Sequence, residues 1–173
     1  MPDGQSQAGN IDLGSAERVE VLRGPFSSLY GNSSGGAINV FAEDGPEKHT
    51  VTGSAWVGDF NSSKIGLKAG GRQGLVNYFA NVSRYDTDGY RDHSAATGDV
   101  LNTKIRMDDS DDSSVTVVAN ALKQPDSLDP GSLTKAQVEA DTTQAAASSI
   151  LYNTRESVDN SEAGAVLEQR LSS

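Results

Sequence analysis

Cysteine is absent from the 173-residue chain, which excludes a disulfide scaffold, a thiolate metal site and thiol catalysis. Long apolar runs are also missing. No window approaches the roughly 18 consecutive apolar residues of a membrane-crossing helix, so a helical membrane protein is excluded. A β-barrel is not, because its strands are short and apolar on one side only. Aromatic residues make up 6% of the chain and hydrophobic residues 35%, a thin supply for a well-packed globular core but a natural one for a sheet with one wet face. Basic residues are outnumbered, 14 against 24 acidic ones, giving a net charge of −10. With no basic stripe, nucleic acid is not an expected partner. The acidic excess gathers at Asp108–Asp112 and between Asp126 and Asp129, where solvated turns and loops place charge.

What is present begins with the run from Ala16 to Phe41, AERVEVLRGPFSSLYGNSSGGAINVF. Val19 and Val21 punctuate a short strand that stops at Arg23-Gly24-Pro25, where glycine tolerates unusual φ and proline fixes φ and removes a donor. Ser27 to Tyr30 can form a short helical turn ended by Gly31-Asn32, and Gly35-Gly36 opens a last strand over Ala37–Phe41. The residues predict a small β-rich unit.

From Lys48 onward, runs of about ten residues alternate in polarity between turn-formers. Val51, Gly53, Ala55 and Val57 alternate with Thr50, Thr52, Ser54 and Trp56 before a turn at Gly58–Asn61. Ile65, Leu67, Ala69 and Gly71 alternate with Lys64, Gly66, Lys68 and Gly70 before a reversal at Gln73-Gly74. Val76, Tyr78, Ala80 and Val82 stand against Asn77, Asn81 and Ser83, followed by Tyr85 and a polar loop Asp86–Thr97. A fourth run covers Asp99–Met107, a fifth Ser114–Leu122 and a sixth Val158–Leu171, with a long insertion between the last two. Within it Thr134 can cap a helix and Gln137 can close the capping box, with Ala145–Ala147 able to extend it.

The pattern ERVEVLRGP, then SSLYGN, then GGAINV resembles the end of the plug domain of TonB-dependent outer-membrane receptors. The resemblance implies a mainly β fold: the C-terminal part of a plug over residues 1–46, then about six antiparallel strands of a transmembrane β-barrel over 47–173, with a short helix in one long loop. It makes Arg18, Arg23, Gly24, Pro25, Tyr30, Gly31, Gly35 and Gly36 the motif residues. It further implies that Arg18 and Arg23 pair with barrel-wall glutamates. Met1–Leu13 has no basic or apolar leader and itself looks like plug sequence, so the chain is expected to be a fragment without TonB box or signal peptide. A receptor of this kind would sit in the outer membrane of a Gram-negative bacterium, contact its lipid, and bind and import a ferric siderophore or other iron chelate with energy from the TonB complex. Tyr90, Arg91 and His93 are then the ligand-contacting loop residues, Arg91 supplying charge-assisted hydrogen bonds to an anionic chelate. The stretch Asp129–Thr134 is similar to an outer loop of such receptors, and Trp56 and Tyr85 are expected in an aromatic girdle.

Other readings explain less. A soluble β-sandwich or adhesin-like module binding glycan would need bulky faces to pack sheet on sheet, whereas Ala, Gly and Val dominate here. No carboxylate pair is singled out by spacing, so no enzyme is expected. The turns at Asp108–Asp112 and Asp86–Gly89 lack the spacing of a calcium loop, and Gly31–Gly36 is followed by no Lys-Ser or Lys-Thr of a phosphate loop. Neither metal nor cofactor is expected, and His49 reads as structural.

Overall fold

A computed structural model describes residues 13–24, 35–110 and 112–170. A 3-10 turn at Leu13–Ser15 leads into β1 (Ala16–Arg23), which pairs antiparallel with β2 (Gly36–Ala42), Val21 opposite Ile38 and Arg23 opposite Gly36. The strand stop at Arg23 and the restart at the glycine pair are as the sequence implies. The expected helical turn at Ser27–Tyr30 lies outside the described residues.

The other strands form one antiparallel meander: β3 (Thr50–Gly58), β4 (Ser62–Gln73), β5 (Val76–Thr87), β6 (Ala96–Ser110), β7 (Ser113–Leu128) and β8 (Arg155–Gln169). Six runs were read from the alternation and six strands stand there. Several limits differ: β8 begins at Arg155 and ends at Gln169 where Val158–Leu171 is expected, and β6 runs to Ser110, into the expected acidic turn. Strands β5 and β6 extend past the expected loop edges, pairing Asp86 with Thr97 and Thr87 with Ala96, which shortens the polar loop to 88–95. Strand β7 continues across Lys123 and Pro125 to Leu128, with a register shift between Gln124 and Ser127 that accommodates the proline. The capping box at Thr134 and Gln137 is formed and starts α1 (Lys135–Ala140), but Ala147 opens a separate helix, α2 (Ala147–Tyr152), because the chain is extended at Asp141.

The sheet is inside-out relative to a soluble domain. One face carries Val51, Val57, Ile65, Leu67, Leu101, Ile105 and Leu167, all exposed. The other, inner face carries Asn77, Asn81, Ser83 and Ser114, all buried, around Phe79, which is 2% exposed. Among the described residues no second sheet covers the apolar face, as a β-sandwich would require. Trp56 and Tyr85 fall on the inner face, in register with Lys64. They are therefore not girdle residues on the apolar band: a girdle side chain needs the parity of Val57 and Arg84. His49 stacks on Tyr78 and its Nδ1 lies 2.8 Å from the Tyr78 hydroxyl, a structural role as expected.

The β1–β2 unit and the segment after it rest on the inner face through polar contacts. Lys68 donates to the Gly14 carbonyl at 3.1 Å and pairs with Glu43. Lys104 donates to the Ala42 carbonyl at 2.9 Å and pairs with Asp44 at 2.7 Å. Asn102 donates to Ser15 Oγ at 2.8 Å. Asn77 satisfies both backbone groups of Gly45, accepting from its N–H at 2.8 Å and donating to its carbonyl at 2.7 Å. Gly45 lies so close to β4 and β5 that a Cβ would stand 2.1 Å from the Tyr78 carbonyl oxygen and 2.8 Å from the Gly71 nitrogen.

This packing makes Gly45→Ala destabilising by about 1–3 kcal/mol, as for other insertions into a filled site. Asn77→Ala, which strands two backbone groups, should cost a similar amount, on the order of 1–3 kcal/mol. Guanidinium unfolding of the chain in detergent micelles measures both. Stability equal to the parent chain would show that the segment is not seated as described.

Candidate functional site

Two places carry the residues singled out by sequence. The first is the β1–β2 unit. Arg18 lies 4.1 Å from the Phe41 ring centroid and pairs with Glu20 at 2.9 Å, one ion pair and one cation–π contact on its own unit rather than with a glutamate of the wall. The Gly24 N–H donates to the Gly35 carbonyl at 3.3 Å, closing the hairpin neck that Arg23 and Gly36 begin. A Cβ on Gly36 would stand 2.4 Å from the Leu22 carbonyl oxygen, whereas one on Gly35 meets nothing within 4 Å. Pro25, Tyr30 and Gly31 lie outside the described residues. The glycine at Gly36 is thus a strand-pairing requirement.

The second place is the outer end of the sheet, where loop 88–95 meets loop 129–154. Tyr90 packs edge-on to Phe60 with centroids 5.4 Å apart, and its hydroxyl is hydrogen-bonded to Thr142. His93, at φ 55°, places Nε2 at 2.9 Å from the Thr154 carbonyl. Arg91 is the centre: Nε donates to the Gln144 carbonyl at 3.0 Å, Nη1 to Gly131 at 2.8 Å and Nη2 to Pro130 at 3.1 Å. A guanidinium is suited to this because its donors leave in a fixed planar fork. The three residues are brought together as the sequence suggested, and in this arrangement they hold the long loop. Backbone bonds reinforce the join, from Asp92 N–H to the Thr143 carbonyl at 2.7 Å and from Ala146 N–H to the Pro130 carbonyl at 2.8 Å.

Within that loop the Asp141 carboxylate accepts from the Thr143 hydroxyl at 2.7 Å and its N–H at 2.8 Å. The hydroxyl bond first, then the amide bond, holds the Asp141 pKa below the usual carboxylate value. Its contribution to the loop is present above the ordinary carboxylate pKa and is lost as pH falls through the lowered one. No cluster of three or more His, Asp or Glu side chains able to hold a metal occurs among the described residues.

Sequence reading missed the seat of the β1–β2 unit. Lys68, Asn77, Asn102 and Lys104 were visible only as polar members of alternating runs. The available signal was that long cations and amides stood at positions facing away from the apolar band, which is where a second body must lie to use them.

Arg91→Ala should leave the Gly131 and Gln144 carbonyls without their donor and the Pro130 carbonyl with the Ala146 N–H alone, and amide exchange at Ala146 and Thr154 should accelerate about tenfold or more while β5 and β6 keep their protection. Arg91→Lys, with no fork, should recover only part of it. Unchanged exchange in both variants would remove Arg91 as the organiser of this loop.

Comparison with known proteins follows the same division. Residues 1–38 match the family model of the TonB-dependent receptor plug domain. Over 129 residues the chain is 30% identical to the metal-pseudopaline receptor CntO of Pseudomonas aeruginosa strain PAO1, and likewise to that of strain UCBPP-PA14, covering 70% of this chain and 18% of each relative. The chain therefore spans less than a fifth of the length of these relatives. The crystal structure of the ferripyoverdine receptor of the Pseudomonas aeruginosa outer membrane, bound to ferripyoverdine, superposes with a TM-score of 0.58 at 22% identity, over 65% of this chain and 16% of that one. That likeness is one of fold. Plug motif, amphipathic six-stranded sheet and these relatives together place the chain in the TonB-dependent receptor family.

Proposed function

We propose that the chain forms the plug-to-barrel stretch of an outer-membrane receptor that imports a metal chelate, of which a ferric siderophore or similar iron complex is the leading class. The observation that carries this reading is the two-faced sheet: an apolar face with no protein partner among the described residues, and a polar face that grips the β1–β2 unit. Lipid on one side and a plug on the other is the arrangement that satisfies both. The relatives named above receive metal-pseudopaline and ferripyoverdine, which supports a chelated metal as cargo here.

The division of the chain falls at the seat. Residues 1–46 belong to the plug and 47–173 to the wall, since Glu43, Asp44 and Gly45 are groups before the sheet that bond to its inner-face side chains, and Thr50 is the first residue in it. Strands β3 and β8 are the edges of the six-stranded sheet. In lipid each unpaired backbone group costs several kcal/mol, so further strands are needed to close a barrel. The TonB complex is the partner that would supply energy, and the role is transport rather than catalysis.

Two results test this reading. Leu101→Arg, on the apolar face, should cost about 2–4 kcal/mol in a lipid-embedded barrel, while Glu162→Arg, on the inner face, should cost far less. Equal effects would contradict lipid contact. The decisive experiment is genetic: translated DNA flanking the coding region should continue in frame on both sides, and disrupting that frame should abolish uptake of radioactive iron presented as a siderophore complex. Stop codons closing both ends would withdraw the transport role.

A further inference from the structure

On the apolar face, side chains of one parity form rows that cross the strands. Leu67, Val82, Leu101, Ala121 and Ser161 make one such row. That row, and the rows between it and the turn after Gln73, hold no charged residue on β4 to β8. The next row toward the loops is Ile65, Arg84, Asp99, Lys123 and Asp159, in unbroken register. The apolar band therefore ends in a single step on β5 to β8, and the charges that end it alternate in sign from strand to strand.

Part of this belt is paired within itself. Arg84 holds Asp86 at 3.1 Å and Asp99 at 3.5 Å, and Arg155 holds Asp126 at 2.9 Å. Lys123 and Asp159 differ. They are exposed register partners on β7 and β8, yet neither side chain makes an ion pair or hydrogen bond among the described residues. Register partners have Cβ atoms about 5 Å apart, so an ammonium and a carboxylate stand side by side at the edge of the apolar band with their bonding capacity unused.

The local balance of charge selects the kind of group that fits them. Asp86, Asp99, Asp126 and Asp159 outnumber Arg84, Lys123 and Arg155, so the field of the belt opposes a headgroup that is only anionic. A phosphate and a primary ammonium joined by two carbons present the opposite pair of charges about one strand spacing apart, ~4.8 Å. The phosphate would accept from Lys123 Nζ, and the ammonium would donate to the Asp159 carboxylate, both charge-assisted. A quaternary ammonium carries the same charge but has no N–H to donate.

We propose that Lys123 and Asp159 form a docking site on the outward face for the phosphoethanolamine head of a lipid. This rests on the receptor reading above and narrows the lipid that the wall contacts. Lys123 takes the phosphate, Asp159 takes the ammonium, and the Arg84 pairs keep the neighbouring carboxylates occupied.

The full chain refolded in detergent micelles is mixed with dioleoyl phosphatidylethanolamine, phosphatidylcholine and phosphatidylglycerol in equal amounts, and the lipids it retains are counted by native mass spectrometry. The ethanolamine lipid should be retained about tenfold over either of the others. Lys123→Ala and Asp159→Asn should each abolish that preference. The double exchange of Lys123→Asp with Asp159→Lys should restore it, since the headgroup can bind reversed, and Glu162→Gln on the inner face should leave it unchanged. Circular dichroism of each variant separates lost binding from lost folding. Phosphatidylglycerol retained as well as phosphatidylethanolamine, or a preference that survives both single substitutions, would overturn this site while leaving lipid contact, and with it the receptor reading, intact. A folded chain that retains none of the three lipids would overturn the site as well.

Discussion

A strand hydrogen-bonded on both sides has no backbone donor or acceptor left to offer, so its surroundings are chosen by side chains alone, and these alternate. Everything else in this molecule depends on that constraint. Because most of the Val, Ile, Leu and Ala residues occupy one parity and most of the Asn, Ser, Lys and Arg residues the other, the six strands cannot bury their apolar residues against one another. They turn them outward together, and the polar set becomes the inner surface. The interior is thereby obliged to be a place of hydrogen bonds and ion pairs, and the β1–β2 unit is held by such contacts around Phe79, the one large side chain fully buried among the described residues.

The chemistry of the seat explains why it is made of two lysines facing a short acidic segment. Lys104 has a side chain 19% exposed and Lys68 36%. A cation withdrawn that far from water loses hydration, and pairing with Asp44 or Glu43 together with a backbone carbonyl offsets the loss. Removing one partner therefore costs more than the pair contributes when intact. At the opposite end, Arg91 follows a different rule: it is paired with carbonyls rather than a carboxylate, and organises a loop without neutralising its charge.

Much of this was legible because period-two alternation is a strong signal when sustained over six runs and punctuated by Gly58–Asn61 and Gly74. The hairpin of β1 and β2 could be read from Gly24 and Gly36, and the capping box of α1 from Thr134 and Gln137. Strand ends were not legible. Asp86, Thr97 and Pro125 look like loop residues, and only pairing with a neighbour already in place keeps them in strands. Trp56 and Tyr85 were read as membrane-girdle aromatics because aromatic identity outweighed parity; counting along the strand from Val57 and Val82 would have put them inside. The contacts of Lys68, Asn77 and Lys104 could not be read locally, since their partners lie between 25 and 62 residues away.

The double bond between Asn77 and Gly45 has the form of a strand pairing made by a side chain, and it fixes the axial register of the two bodies. Gly45 cannot slide along β5 to the next inward position, two residues on, because Phe79 stands there and has no side-chain amide to offer. Nor can it lift gradually, since both bonds belong to one carboxamide and break together. The seat is therefore a detent: whatever shift the β1–β2 unit undergoes on the inner face, this joint either stays latched or lets go in a single step.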